Sequence, residues 1–309
     1  MRISVITPVY NGEKYIEETV LSVLDAIGDS NIEYLVVDDG SNDQTLEILS
    51  KFSNRIKIIS KPNGGESSAV NKGIENASGE FLLVVSADDP LFTSAIFDGI
   101  TEYFDQHKEV QVWYPDWQMI DASGEVLKRV TVPEYSEERL IGRFLCLPGP
   151  GAFFRKSSAL RIGGRREKWK YVGDYDFWLR ISRLGTMERR PKVLAQWRYH
   201  NESTSIGQRG LRMFEERINV IEEFIAGNEL DSRLIRMARS HALYFASLLV
   251  FYVPEINAKK SLFRAFALRR GLIEEAQLKV VIYILLTPLS AKLRPFISRY
   301  LKLFLRGRK

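Results

Sequence analysis

An apolar run that ends in two adjacent carboxylates constrains this chain more than any other feature. Tyr34-Leu35-Val36-Val37 has the length and side-chain character of a buried strand, and Asp38-Asp39-Gly40-Ser41 follows it directly. Carboxylates at the end of a buried strand need a partner or a ligand. In parallel α/β sheets that strand end is also where ligands bind. A second run, Leu82-Leu83-Val84-Val85, ends the same way in Ser86-Ala87-Asp88-Asp89-Pro90. Two such strand ends in one domain point to a site for a metal and a polar, phosphorylated ligand.

The first hundred or so residues alternate strand and helix signals, as a parallel α/β sheet requires. Strand-like runs fall at Ile3–Thr7, Tyr34–Val37, Ile56–Ile59 and Phe81–Val85, with helix-like segments at Tyr15–Leu24, Thr45–Phe52 and Ser67–Ala77 between them. Beyond residue 110 the pattern is mixed. Short strands are expected at Val110–Tyr114 and Met119–Ile120, a hairpin turn at Ser123-Gly124, a return strand at Val126–Val132, a helix at Asp174–Arg183 and a strand at Val193–Tyr199. After about residue 206 only helical patterns remain: Leu211–Ile225, Asp231–Tyr252, Ala258–Ala267 and Ile273–Leu286. The expected organisation is an α/β domain over residues 1–205, with a ligand-binding half (1–110) and a second half (111–205), followed by a helical appendage over 206–309.

Charge sharpens this division. The chain carries a formal +5, but the stretch from Lys279 to Lys309 has eight basic residues and no acid, which leaves −3 for the remainder. In that tail Leu293, Phe296, Ile297, Tyr300, Leu301, Phe304 and Leu305 are interspersed with the basic residues, the pattern of an amphipathic helix lying on an anionic membrane surface. The apolar stretches Ala242–Val253 and Val280–Leu289 are too short to span a bilayer, and the N-terminus lacks the apolar core of a signal peptide. The basic tail would also suit a nucleic-acid partner, but the acidic body and the lack of a nucleic-acid-binding motif argue against that reading. The single cysteine, Cys146, excludes an intrachain disulfide framework and a cysteine-based zinc site; it is expected to be a small buried side chain.

Taken in order, Thr7-Pro8-Val9-Tyr10-Asn11-Gly12, Val37-Asp38-Asp39-Gly40-Ser41, Asn63-Gly64-Gly65-Glu66-Ser67-Ser68-Ala69-Val70-Asn71-Lys72-Gly73, Ser86-Ala87-Asp88-Asp89 and Gly173-Asp174-Tyr175-Asp176-Phe177-Trp178-Leu179-Arg180 closely resemble the motifs of the family 2 glycosyltransferases. The resemblance covers about residues 1–205. It implies a GT-A fold, a Rossmann-like, mostly parallel sheet with helices on both faces, and inverting transfer from a nucleotide-sugar.

Under that resemblance Asp39 hydrogen-bonds the nucleotide base, and Pro8, Tyr10 and Asn11 line the same pocket. Asn63, Gly64 and Asn71 belong to the donor loop, whose glycines allow backbone to approach a ligand closely. Val70 stands where family members often carry an arginine, so a phosphate contact is lost there or supplied elsewhere. Asp88, Asp89 or both hold Mn²⁺ or Mg²⁺ against the diphosphate, and His200 is a further candidate ligand. Asp174 matches the general base, with Asp176 as competitor. Arg198 is a candidate phosphate partner or a surface charge. The rings of Trp113, Tyr114 and Trp117 beside Asp116 suit either sugar stacking or core packing.

The function this implies is metal-dependent transfer to a hydroxyl of an acceptor glycan, lipid-linked or free, in bacterial surface polysaccharide synthesis. The expected location is the cytoplasmic face of the cell membrane, bound peripherally, and oligomers are allowed. Transfer to a polyprenyl phosphate, which needs no base, and a catalytically silent nucleotide-sugar-binding scaffold are the alternatives.

Overall fold

The computed structural model describes residues 2–200 and 210–249, together with 261 and 265. Its first four strands, β1 (Ile3–Val9), β2 (Glu33–Asp38), β3 (Lys57–Ser60) and β4 (Phe81–Val84), pair in parallel in the order β3-β2-β1-β4. Helices α1 (Ile16–Ile27), α2 (Thr45–Ser50) and α3 (Glu66–Asn76) make the crossovers. The chain runs outward from β1 through β2 to β3, then returns to place β4 on the other side of β1. That reversal opens a crevice at the carboxyl ends of β1, β2 and β4.

The strands read as continuous apolar runs because both sheet faces are covered. Along β2, Leu35 and Val37 pack with Val70 and Ile74 of α3, while Tyr34 and Val36 pack with Val20 and Val23 of α1 and Leu49 of α2. Helix α1 buries Ile16, Val20, Val23, Leu24 and Ile27, the one-sided stripe of a helix lying on a sheet.

The sheet continues as a mixed one. After α4 (Ile100–Gln106) comes β5 (Val110–Ile120), which forms a hairpin with β6 (Val126–Val130). Then β7 (Phe153–Arg155) inserts antiparallel between β4 and β5, and β8 (Thr186–Arg198) lies parallel to β5. Between β7 and β8 lie α5 (Lys156–Arg161) and α6 (Gly173–Ile181). The two short strands expected at 110–114 and 119–120 are one strand. Pro115 and Asp116 between them are accommodated because the pairing with β8 shifts register there, so the missing proline N–H breaks no regular ladder.

The first two helices of the expected appendage are α7 (Leu211–Ala226) and α8 (Ser232–Leu249). They do not form a core of their own: Val220, Ile221 and Phe224 of α7 and Ala238 and Ala242 of α8 belong to the same apolar cluster as α3 and α6. No helix among the described residues is long and apolar enough to cross a membrane. Apart from residues 261 and 265, the helical patterns at 258–267 and 273–286 and the basic tail lie outside the described residues.

Candidate active site

The turn after β2 is built by its own polar groups. Gly40 has φ 78°, and a Cβ there would sit 2.9 Å from the Asn63 backbone nitrogen, so only glycine fits. The Asp38 carboxylate accepts from the Ser41 N–H at 3.2 Å. Asn11, left-handed at φ 49°, accepts the Asn42 N–H at 2.9 Å on its side-chain oxygen, and its own N–H donates to Ser41 Oγ. The loops after β1 and β2 are thus tied into one rim.

Asp39 is 2% exposed, and both of its oxygens are engaged. Lys61 Nζ lies at 2.5 Å, the Gly64 N–H at 3.0 and 3.1 Å and the Gly65 N–H at 2.7 Å. The carboxylate thus ties the Asn63-Gly64-Gly65 loop to the end of β2. Pro8, Tyr10, Asp39, Asn63 and Gly64 all line a cleft of about 710 Å³.

Asn71 has a different place from the expected one. Its amide donates to the Arg165 carbonyl at 2.8 Å and accepts the Arg165 N–H at 2.7 Å, so both ends hold the turn before α6. Asp176 is also structural. Its carboxylate is buried and paired with Arg180 at 2.7 Å, and Arg180 in turn donates to the Ile162 and Gly164 carbonyls. Asp174, two residues earlier, is exposed at the start of α6. Its Oδ1 accepts the Tyr175 N–H at 2.7 Å, and Oδ2 is 3.9 Å from Cys146 Sγ. Cys146 is therefore an exposed thiol beside Asp174 rather than a buried apolar group.

A second chamber of about 260 Å³ adjoins the cleft, lined by Ser86, Asp89, Pro148, Gly149, Trp178 and Trp197 among others. Glu66, Arg165 and Asp174 line both cavities and so mark where they meet. Arg165 was not signalled by any motif. It supplies a cation in the region where Val70 replaces an arginine, and the only sequence hint was the Gly163-Gly164 pair before it.

The adjacent acids after β4 part company. Asp89 is buried and its Oδ1 accepts the Arg198 N–H at 2.7 Å, which secures the end of β8. Burial, reinforced by the charge of Asp88, holds its carboxyl well above the usual range. Asp88 faces His200 instead, with Oδ2 2.8 Å from Nε2. His200 Nδ1 is buried and without a hydrogen-bond partner among the described residues. No group of three or more His, Cys, Asp or Glu converges among the described residues. The pair nevertheless fits Mn²⁺ or Mg²⁺, which in phosphate sites take few protein ligands and complete their shell with phosphate and water.

Arg198 is neither a phosphate partner nor a surface charge. It is 1% exposed, forms a fork on Glu18 at 2.7 and 2.8 Å, and donates to the carbonyls of Asp88 and Ala122. The ring-and-acid cluster is likewise mostly core. Trp113 and Tyr114 are buried, and Asp116 pairs with Arg189 at 2.7 Å. Trp117 is half-buried and meets Trp197 edge-on, near the second chamber. Helix α7 completes the cleft: Arg212 lines it, and buried Glu216 accepts the N–H groups of Lys170 and Tyr171 on its wall.

Residues 4–144 match the sequence profile of Glycosyl transferase family 2. The matched stretch takes in the Asp39 turn, the Gly64 loop and the Asp88-Asp89 pair. An uncharacterized glycosyltransferase of Rickettsia typhi is 33% identical over 214 residues, covering 66% of this chain and 65% of that protein. The hyaluronan synthase of Pasteurella multocida is 28% identical over 218 residues, covering 68% of this chain but 22% of the synthase. The chain spans from about half (47%) to just under two thirds (65%) of the length of the Rickettsia relatives from R. conorii and R. typhi. Among solved structures, S. aureus TarS 1–349 in complex with UDP-GlcNAc aligns at a TM-score of 0.67 with 21% identity, over 96% of this chain and 86% of that one. A mannosyltransferase of Pyrobaculum calidifontis in complex with GDP-Man and Mn²⁺ aligns at 0.56 with 15% identity, over 96% and 83%. These structural likenesses support a GT-A fold for this chain.

Proposed function

We propose that this chain transfers a sugar, with inversion, from a nucleoside-diphosphate sugar to a hydroxyl of an acceptor glycan. The observation that carries the reading is the position of Asp174: an exposed carboxylate where the cleft bearing Asp39 and the Gly64 loop meets a smaller chamber. A donor laid with its nucleotide in the larger cavity brings its anomeric carbon toward that junction. There Asp174 takes the proton from the attacking acceptor hydroxyl, and positioned base catalysis is worth about 10²–10⁴-fold in rate. Pro8, Tyr10, Asn63 and Gly64 shape the nucleotide end, and Asp39 sets the closure of their loop. Asp88 and His200 are the residues that would hold Mn²⁺ or Mg²⁺; the ion's chemistry there is to neutralise charge on the departing diphosphate.

The acceptor is a bacterial surface glycan, free or lipid-linked. A chondroitin synthase and a hyaluronan synthase among the relatives support a polysaccharide acceptor. The basic tail after residue 278 supports peripheral binding to an anionic membrane surface, such as the inner face of the cell membrane.

The test is thermal unfolding with UDP, GDP, TDP and CMP, each with and without Mn²⁺. A nucleotide at a hundredfold excess over its dissociation constant stabilises the native state by about 2.7 kcal/mol. One nucleoside diphosphate should stabilise the protein in a metal-dependent way, and Asp88→Ala should remove that dependence. Absence of any shift, followed by absence of transfer from the matching nucleotide-sugars, would sink the reading.

A further inference from the structure

Arg165 is a buried cation at the point where the two cavities meet. It is 8% exposed and lines both. Its Nη1 donates to Glu66 Oε1 at 2.8 Å, while its buried Nε has no partner. The Glu66 side chain is 63% exposed, so it can turn to water while the guanidinium cannot.

The backbone beneath Arg165 is fixed from two sides. Asn71 holds both its N–H and its carbonyl, and Arg180 holds the carbonyls of Ile162 and Gly164. Gly163 and Gly164 take φ of 75° and 72°, and a Cβ on Gly164 would fall 2.4 Å from Asn71 Oδ1. The turn admits no other placement of the side chain's root. A desolvated guanidinium with an unmet N–H, anchored this firmly at the edge of a ligand cleft, is matched to an anion with several acceptor oxygens.

We infer that Arg165 binds the diphosphate of the nucleotide-sugar, at the phosphate that carries the sugar. This rests on the donor reading above. The large cavity takes the nucleoside end, so the sugar-bearing phosphate arrives at the junction where Arg165 stands. Glu66 occupies part of the guanidinium before the donor arrives. It gives way to phosphate oxygens, which accept two parallel N–H bonds where Glu66 accepts one. Arg165 thereby supplies, from a segment 94 residues further along the chain than Asn71, a phosphate contact in place of the one Val70 cannot make.

The test is calorimetric titration, in Mn²⁺ buffer, of wild type, Arg165→Gln, Arg165→Lys and Glu66→Gln with the nucleoside, nucleoside monophosphate and nucleoside diphosphate of uridine, guanosine and thymidine. For the base that binds wild type, Arg165→Gln should weaken the diphosphate about 10–100-fold, the monophosphate less than about threefold and the nucleoside not at all. Arg165→Lys should recover part of the loss. Glu66→Gln, which frees the guanidinium, should leave diphosphate affinity unchanged or tighter, an outcome a purely structural ion pair would not give. An unchanged diphosphate affinity in Arg165→Gln overturns the inference. So does an equal loss for all three ligands, which marks collapse of the cleft. Wild type that binds none of the nine overturns the donor reading itself, and this inference with it.

Discussion

The rim made by β1 and β2 and the rim made by β4, α6 and β8 use carboxylates in opposite ways. On the first, Asp38 and Asp39 are buried and satisfied by their own chain, and Asp39 alone takes one ammonium and two backbone N–H groups. On the second, each pair is split. Asp89 and Asp176 are buried in structural contacts, while Asp88 and Asp174 keep oxygens toward a histidine or toward open space. The lesson is that acids saturated by the fold determine its shape, and acids left unsaturated beside them are available for chemistry. Neighbours in sequence fall on opposite sides of that line because helix and turn geometry point them in different directions.

The largest expected effect breaks the second rim at Asp174. Asp174→Asn should lower transfer by about 10²–10⁴-fold in a steady-state assay while unfolding stability stays within about 0.5 kcal/mol, as for a surface change. Undiminished transfer would instead identify an acceptor that is already an anion, such as a polyprenyl phosphate. The Asp88 and Asp89 pair gives the next contrast. Asp89→Ala leaves the Arg198 N–H buried without a partner and should cost about 1–3 kcal/mol in urea unfolding. Asp88→Ala should cost little stability and remove metal-dependent nucleotide binding. Equal stability losses in both would erase the distinction between the two acids.

On the first rim, Gly40→Ala places a Cβ into a left-handed turn and against the donor loop. It should cost about 1–2 kcal/mol and weaken nucleotide binding, measured by denaturation and titration. The smallest effect is acid sensitivity at Asp116. Burial opposes ionisation there, but the Arg189 guanidinium and the Val132 N–H outweigh it and hold the carboxyl below its usual range. A carboxyl depressed in the folded state adds stability that is complete above its unfolded pKa of about 3.9 and is lost as pH falls through the folded value. Asp116→Asn should therefore flatten the decline of stability below pH ~4, and an identical pH profile for both proteins would show that the pair contributes nothing.

Much of the first rim was legible before folding. The alternation of strands and helices, the Asp38-Asp39-Gly40-Ser41 turn and the Asn63-Gly64-Gly65 loop are local patterns, and local geometry places them at strand ends. The second rim was legible only as a set of candidates. Asn71 and Asp89 looked like ligand residues, yet Asn71 bonds a turn 94 residues away and Asp89 a strand end 109 residues away. Arg198 finds Glu18 across 180 residues, a partner no spacing rule could name. Arg165 carried no motif at all. Likewise, the helical pattern after residue 210 was plain, but that α7 and α8 share the sheet's core could not be read from it.

What the sequence by itself determined is the frame: an α/β chain with strands buried on both faces, glycines where the turns need them and acids at the strand ends. Those features follow from periodicity and from the backbone limits of single residues, which act over a few positions. Only the tertiary structure decided which acid of each pair is free, that Asn71 and Arg198 are fasteners, and that Arg165 stands between the two cavities. Whether a polar group is satisfied depends on partners brought together from distant parts of the chain, and folding alone brings them there.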